Sequence, residues 1–189
     1  HHLEEGKLVI TARKEGEQYT STRINTKGKK SFQYGRFEMR ASLPVGTGVW
    51  PAFWMLGHNI DEVGWPGCGE IDILEYAGKE PGVIHTSLHT EDSHGRTVDT
   101  RKVKYFGVEK GFNTYTAEWT SESIRFFIDE QLVYTFAPEE KPEEIWPFDQ
   151  PFYLLLNLAI GGGFGGPIVD DTIFPQEYII DYVRVYQRQ

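Results

Sequence analysis

The sequence is short of sulfur, of positive charge and of long apolar runs, and each shortage removes a class of explanation. One cysteine, Cys68, cannot build an internal disulfide framework, although many bacterial secreted proteins use none. A catalytic thiolate needs a base in reach, and no local signature of one accompanies Cys68, so a small buried residue is expected there rather than a nucleophile. Lys and Arg number 19 against 28 Asp and Glu, for a formal net charge of −9. No basic footprint is visible for phosphates, so nucleic acid is not an expected partner and an uncharged or weakly charged ligand fits better. No apolar run approaches the roughly 18 residues that span a bilayer, and no membrane association is expected. No secretory leader opens the chain, so any export signal would lie outside these residues.

The chain has no sustained helical period, no internal repeat and no low-complexity linker. What it has is strands. The segments 7–14, 34–43, 114–119, 124–129, 132–136, 152–160 and 178–187 are short, rich in β-branched and aromatic residues, and punctuated by Gly, Pro or Asp. "IRFFIDEQLVYTF" reads as a hairpin turning at Asp129, Glu130 and Gln131, and the proline-bearing "APEEKPEEIWPFDQP" as a surface crossing between strands. With 189 residues the chain supports one sizeable core, and a single domain over 1–189 is expected. Many short strands with ten Pro and twenty Gly predict an all-β, jelly-roll sandwich.

One strand conflicts with its own composition. "CGEIDILEYAG" (68–78) has the apolar residues of a buried strand, yet Glu70, Asp72 and Glu75 place three carboxylates within six positions. Strict alternation puts Glu70 and Asp72 on one face and Glu75 on the other. A β-bulge around Ile73 and Leu74 would bring Glu75 round to join them. Three acids in a row repel unless they are protonated, solvated or put to use. Retaining glycoside hydrolysis uses such a set, with nucleophile and acid carboxyls about 5–5.5 Å apart. An ideal strand would separate the two glutamates further, so strand curvature and leaning side chains would have to close the gap. The competing reading is a solvated face, or acids paired with Arg or Lys of a neighbouring strand.

Aromatic residues flank the acids. In "GVWPAFWMLG" (48–57) Trp50, Ala52 and Trp54 share a strand face, and Trp65 lies five residues before Glu70. Sugar rings lay their C–H faces on aromatic planes while polar groups fix the hydroxyls. Of these three tryptophans, Trp50, beside Pro51, is the one expected in the core, along with Trp119 and Trp146. Arg36 and Arg40, alternating with Phe37 and Met39, read as sheet-face residues. His85 and His89 are four apart on a strand, about 13 Å along the backbone, and with His94 make a poor zinc site, so no metal ligands are assigned.

"GEIDILEYAG", preceded by "GVWPAFWMLG" and followed by "HTSLHT", "NLAIGG" and "IIDYVRVYQ", resembles glycoside hydrolase family 16, and within it the bacterial endo-β-1,3-glucanases, or laminarinases. The resemblance runs from about Lys7 to Gln187. It implies a concanavalin A-like sandwich of two antiparallel sheets with a concave polysaccharide cleft, and a secreted retaining endo-glycosidase. It also implies Glu70 as nucleophile, Glu75 as general acid and base, and Asp72 between them, tuning the nucleophile. Substrate contacts implied by matching positions are Arg23, Trp54, Trp65, His89 and Asn157, with a plain surface arginine the alternative for Arg23.

The spacing from Asp72 to Glu75 is that of laminarinases, agarases and carrageenases, one residue longer than in lichenases and xyloglucan transferases. A net charge of −9 speaks against sulfated galactans. Other polysaccharides of the family, a transglycosylase, and a non-catalytic glucan-binding lectin on the same sandwich remain alternatives. Family domains carry residues ahead of the equivalent of Lys7 that supply a strand and part of a structural calcium site. Asp181 matches a position near that calcium, but with the partners absent here the ion is not expected, and no cofactor is required. A monomer is expected unless another chain supplies the strand.

Overall fold

The computed structural model describes every residue except Phe106 and Gln189. Its fourteen strands are β1 (His2–Glu4), β2 (Lys7–Glu15), β3 (Gln18–Thr20), β4 (Arg23–Asn25), β5 (Gly35–Ser42), β6 (Val49–Gly57), β7 (Glu70–Tyr76), β8 (Val83–His89), β9 (Thr100–Lys104), β10 (Phe112–Trp119), β11 (Ile124–Ile128), β12 (Gln131–Phe136), β13 (Phe152–Ile160) and β14 (Gln176–Tyr186). The α-helical segments, Ile60–Val63 and Gly162–Gly165, are single turns of four residues, as the missing helical period requires.

Two antiparallel sheets form a jelly-roll sandwich. One has the order β1-β2-β14-β5-β10-β11-β12 with β3 beside β2, and the other the order β4-β13-β6-β7-β8-β9. Period-2 alternation builds the layer between them. In β6, Val49, Phe53 and Met55 enter the core while Trp50, Ala52 and Trp54 face out; in β13, Phe152, Leu154, Leu156 and Leu158 do the same opposite Tyr153, Leu155 and Asn157. From the other sheet Ile10, Phe37, Met39, Tyr115, Phe126 and Tyr178 complete the core, all fully buried.

The hairpin between β11 and β12 turns on Asp129 and Glu130, both at positive φ, and Gln131 already opens β12. Trp119 and Trp146 are core residues, as expected; Trp146 anchors the 137–151 crossing by stacking on Phe136 at 5.8 Å. Arg36 and Arg40 lie on the face of the eight-stranded sheet, Arg36 paired with Glu38, Glu118 and Glu130 and Arg40 with Asp181. Strands β1, β3 and β9 escaped the sequence reading. All residues of β1 and β3 are exposed, and β9 (TRKVK) is a mainly polar edge, so none carries the apolar alternation that marks a strand.

Candidate active site

Strand β7 carries the three acids between two glycines that admit no side chain. Gly69 has φ +75°, and a Cβ there would lie 2.8 Å from Pro147; at Gly78 it would lie 1.8 Å from the Gly46 carbonyl oxygen. Between these stops the predicted bulge is present. Asp72 stands opposite Ser87 and Glu75 opposite His85, so three steps on β7 match two on β8. Against β6, Asp72 faces Trp54, Leu74 faces Phe53 and Glu75 faces Ala52, which leaves Ile73 as the extra residue. Consecutive Ile73 and Leu74 both enter the core, and Glu75 turns out to line one cavity of about 110 Å³ with Glu70 and Asp72.

The strand register also fixes the direction of the cleft. Arg23, Asn157, Ala52, Glu75, His85 and Lys102 are successive cross-strand partners over β4, β13, β6, β7, β8 and β9. Five steps of about 4.8 Å make a row of roughly 24 Å running across the strands. The Asn157 side chain, buried in this row, accepts a hydrogen bond from Trp54 Nε1 at 2.8 Å. The Arg23 guanidinium, at the surface, lies over the Trp54 ring at 5.3 Å.

Each glutamate is held by a different tryptophan. Trp65 Nε1 donates to Glu70 Oε2 at 2.6 Å, and Trp50 Nε1 donates to Glu75 Oε1 at 3.1 Å. Trp50 is therefore not the core residue expected from its sequence position. It shares the outward face of β6 with Ala52 and Trp54, and its ring packs on Phe164 at 5.2 Å. Trp65 keeps 47% of its surface exposed, so its ring is available to a ligand while its N–H is not.

Burial raises the pKa of all three acids, but their surroundings separate them. For Glu70 three neighbours oppose burial and favour the anion: a hydrogen bond from Asp72, the Trp65 N–H and the Arg23 charge. Asp72 is driven well above the usual carboxylate range by complete burial, then by Glu70 and Glu75, and it holds the proton it shares with Glu70. Glu75 rises to about 7, first through burial and then through the Glu70 charge, with only the Trp50 hydrogen bond opposing. The set thus holds one favoured anion, Glu70, one carboxyl that keeps its proton, Asp72, and one that gives up its proton near neutrality, Glu75. His89 Nε2 lies 3.2 Å from Asp72 Oδ2, but burial and His94 lower the His89 pKa to about 4, so this is a neutral imidazole beside a protonated carboxyl and not an ion pair.

The sequence profile of glycosyl hydrolases family 16 matches residues 1–184. The chain belongs to that family. It is 45% identical over 196 residues to a beta-glucanase of Rhodothermus marinus, covering 96% of this chain and 68% of that protein. It is 35% identical over 213 residues to glucan endo-1,3-beta-glucosidase A1 of Niallia circulans, covering all of this chain and 31% of that much longer protein. Among solved structures, a laminarinase from Flavobacterium sp. UMI-01 superposes with a TM-score of 0.97 at 64% identity, over 97% of this chain and 80% of that one.

Within this family 16 fold, every residue singled out in the sequence as a sugar contact lies at or beside the cavity: Arg23, Trp54 and Asn157 line it, Trp65 holds Glu70, and His89 touches Asp72. Two residues were missed, Trp50 and Phe164. The alternation Trp50-Ala52-Trp54 was the available signal for the first; Phe164 sits in a glycine run with no strand pattern to place it. Cys68 is fully buried and its thiol is pushed up to about 11, which rules it out as a nucleophile near neutrality. Asp181 is held by Arg40, and among the described residues the one group of three or more His, Cys, Asp or Glu donors that come together is Glu70, Asp72 and His89.

Proposed function

We propose that this chain is a retaining endo-β-1,3-glucanase that acts outside the cell on a laminarin-type polysaccharide. The observation that carries the reading is the bulged strand, which puts three carboxyls with separated proton affinities, Asp72 buried and Glu70 and Glu75 half-buried, on the floor of a cleft crossing six strands. Glu70 attacks the anomeric carbon and forms a glycosyl ester as the glycosidic C–O bond breaks; Glu75 gives its proton to the departing oxygen. Glu75, now an anion, takes a proton from water, which attacks the same carbon and releases Glu70. Asp72 shares its proton with Glu70, so the nucleophile is ionised without a second full charge beside it. The catalytic groups need no metal, and an open row of binding positions suits attack within a chain rather than at its end. The laminarin preference is supported by the similarity to a glucan endo-1,3-beta-glucosidase and a laminarinase, and the one-residue bulge separates the chain from lichenases.

Reducing-sugar release from laminarin, mixed-linkage β-glucan, agarose and κ-carrageenan should be led by laminarin. A protein that is folded and cleaves none of them would overturn the assignment. Trp65 should serve as both platform and hydrogen-bond donor. Trp65→Phe keeps a ring and loses the N–H, so it should lower kcat with little change in KM; Trp65→Ala should also raise KM by about tenfold, near 1.4 kcal/mol. Steady-state kinetics on laminari-oligosaccharides check this, and equal kinetics for all three proteins would place Trp65 outside the site.

A further inference from the structure

Beyond Glu75 the cleft changes character. A second, larger cavity of about 570 Å³ continues over β8 and β9 and is lined by Glu75 but not by Glu70. The sugar attacked at its anomeric carbon must reach both glutamates, so it belongs in the cavity that holds both. The sugar that leaves must reach the acid alone. That assigns the second cavity to the leaving-group side.

Its walls run against the charge of the whole molecule. Lys79, Arg96 and Lys102 line it, three cations against the two carboxyls of Glu80 and Glu75. Glu80 is fully engaged, accepting from Lys102 at 3.1 and 3.2 Å and lying 3.1 Å from His85 Nε2. Lys79 and Arg96 make no ion pair among the described residues. Phe164 gives the same cavity an apolar wall, 4.8 Å from the His85 ring and 5.9 Å from Lys79 Nζ. The His85 pKa is lowered first by burial, against the Glu80 hydrogen bond that raises it, with the charges of Lys102 and Lys79 adding to the lowering. A net charge of −9 therefore coexists with a locally cationic half-cleft, because field is set by nearby charges and distant ones are screened within about 10 Å.

We propose that the leaving-group side of this cleft accepts a glucan whose departing sugar carries an anionic group, a sulfate ester or a carboxylate, held by Lys79 and Arg96. The proposal rests on the endo-glucanase reading, and it makes substrate charge a matter of position: tolerated on the departing sugar, and disfavoured beside Glu70, where a second anion would face the nucleophile.

The test uses laminarin, lightly sulfated laminarin and lightly carboxymethylated laminarin with the parent protein and the variant Lys79→Gln/Arg96→Gln. Products are mapped by mass spectrometry for the end that carries the charge. With the parent, anionic groups should be enriched at new non-reducing ends over new reducing ends, by about three- to tenfold at about 20 mM salt. The bias should collapse in the double variant and shrink at about 500 mM salt. A bias in one derivative alone identifies which anion the pocket takes. Charge spread evenly over both new ends, or a bias that survives in the double variant, would overturn the proposal. Failure of the parent on unmodified laminarin would instead overturn the underlying reading of function.

Discussion

Glu70→Ser should lower kcat on laminarin by about 10⁴-fold or more while leaving the Kd for a laminari-oligosaccharide within about threefold. The hydroxyl that replaces the carboxylate has neither its charge nor its reach, so no ester can form. The Trp65 N–H and the Asp72 proton lose their acceptor, which costs ground-state order but removes no aromatic surface. A Glu70→Gly variant sharpens the point. The space left beside the anomeric carbon admits azide, and an azide-dependent turnover that yields the α-glycosyl azide would show that the missing group attacked from that face. Retained turnover without azide, from protein free of the parent enzyme, would sink the nucleophile assignment. Isothermal titration on the serine variant separates the two losses: binding preserved with chemistry lost is expected, and binding lost with it would mean that Glu70 chiefly holds the sugar.

How much of this was legible in advance depends on which interactions leave a periodic trace. The bulge was readable because Glu-x-Asp-x-x-Glu contradicts the two-residue alternation of a strand, and the apolar pair Ile73-Leu74 sits where the contradiction has to be absorbed. The outward face of β6 was readable for the same reason, yet an aromatic beside a proline looks like packing, and that look points Trp50 to the core. Its hydrogen bond to Glu75 joins residues 25 apart, and no local pattern encodes it. The cationic half-cleft was hidden differently. Lys79, Arg96 and Lys102 come from two loops and an edge strand, and summing charge over the chain erases what folding gathers. The fold itself was the most legible part, since its core strands carry the alternation that burial demands, and the exposed strands β1 and β3 carry none.

Glu75→Gln should separate catalysis from stability in one protein. An amide cannot donate the proton that the leaving oxygen requires, so cleavage of laminarin should fall by about 10²- to 10⁴-fold. An aryl laminaribioside whose phenol leaves as an anion needs no such proton, and its first turnover should stay within about tenfold of the parent. The parent's kcat/KM should decline as pH rises through about 7, where Glu75 loses its proton, and that alkaline limb should be missing from the variant on the aryl substrate. Stability moves in the opposite direction. Raising the Glu75 pKa from 4.5 to about 7 means that the folded protein resists an ionisation the unfolded chain undergoes freely, a penalty of about 3 kcal/mol at alkaline pH. The penalty is absent below the unfolded pKa, grows between the two values, and is complete above the folded one. Denaturant unfolding should therefore find Glu75→Gln more stable than the parent at pH 8.5 and equal to it near pH 4. A variant less stable than the parent at pH 8.5 would show that Glu75 is ionised at no cost in the folded protein and is not the group that carries the proton.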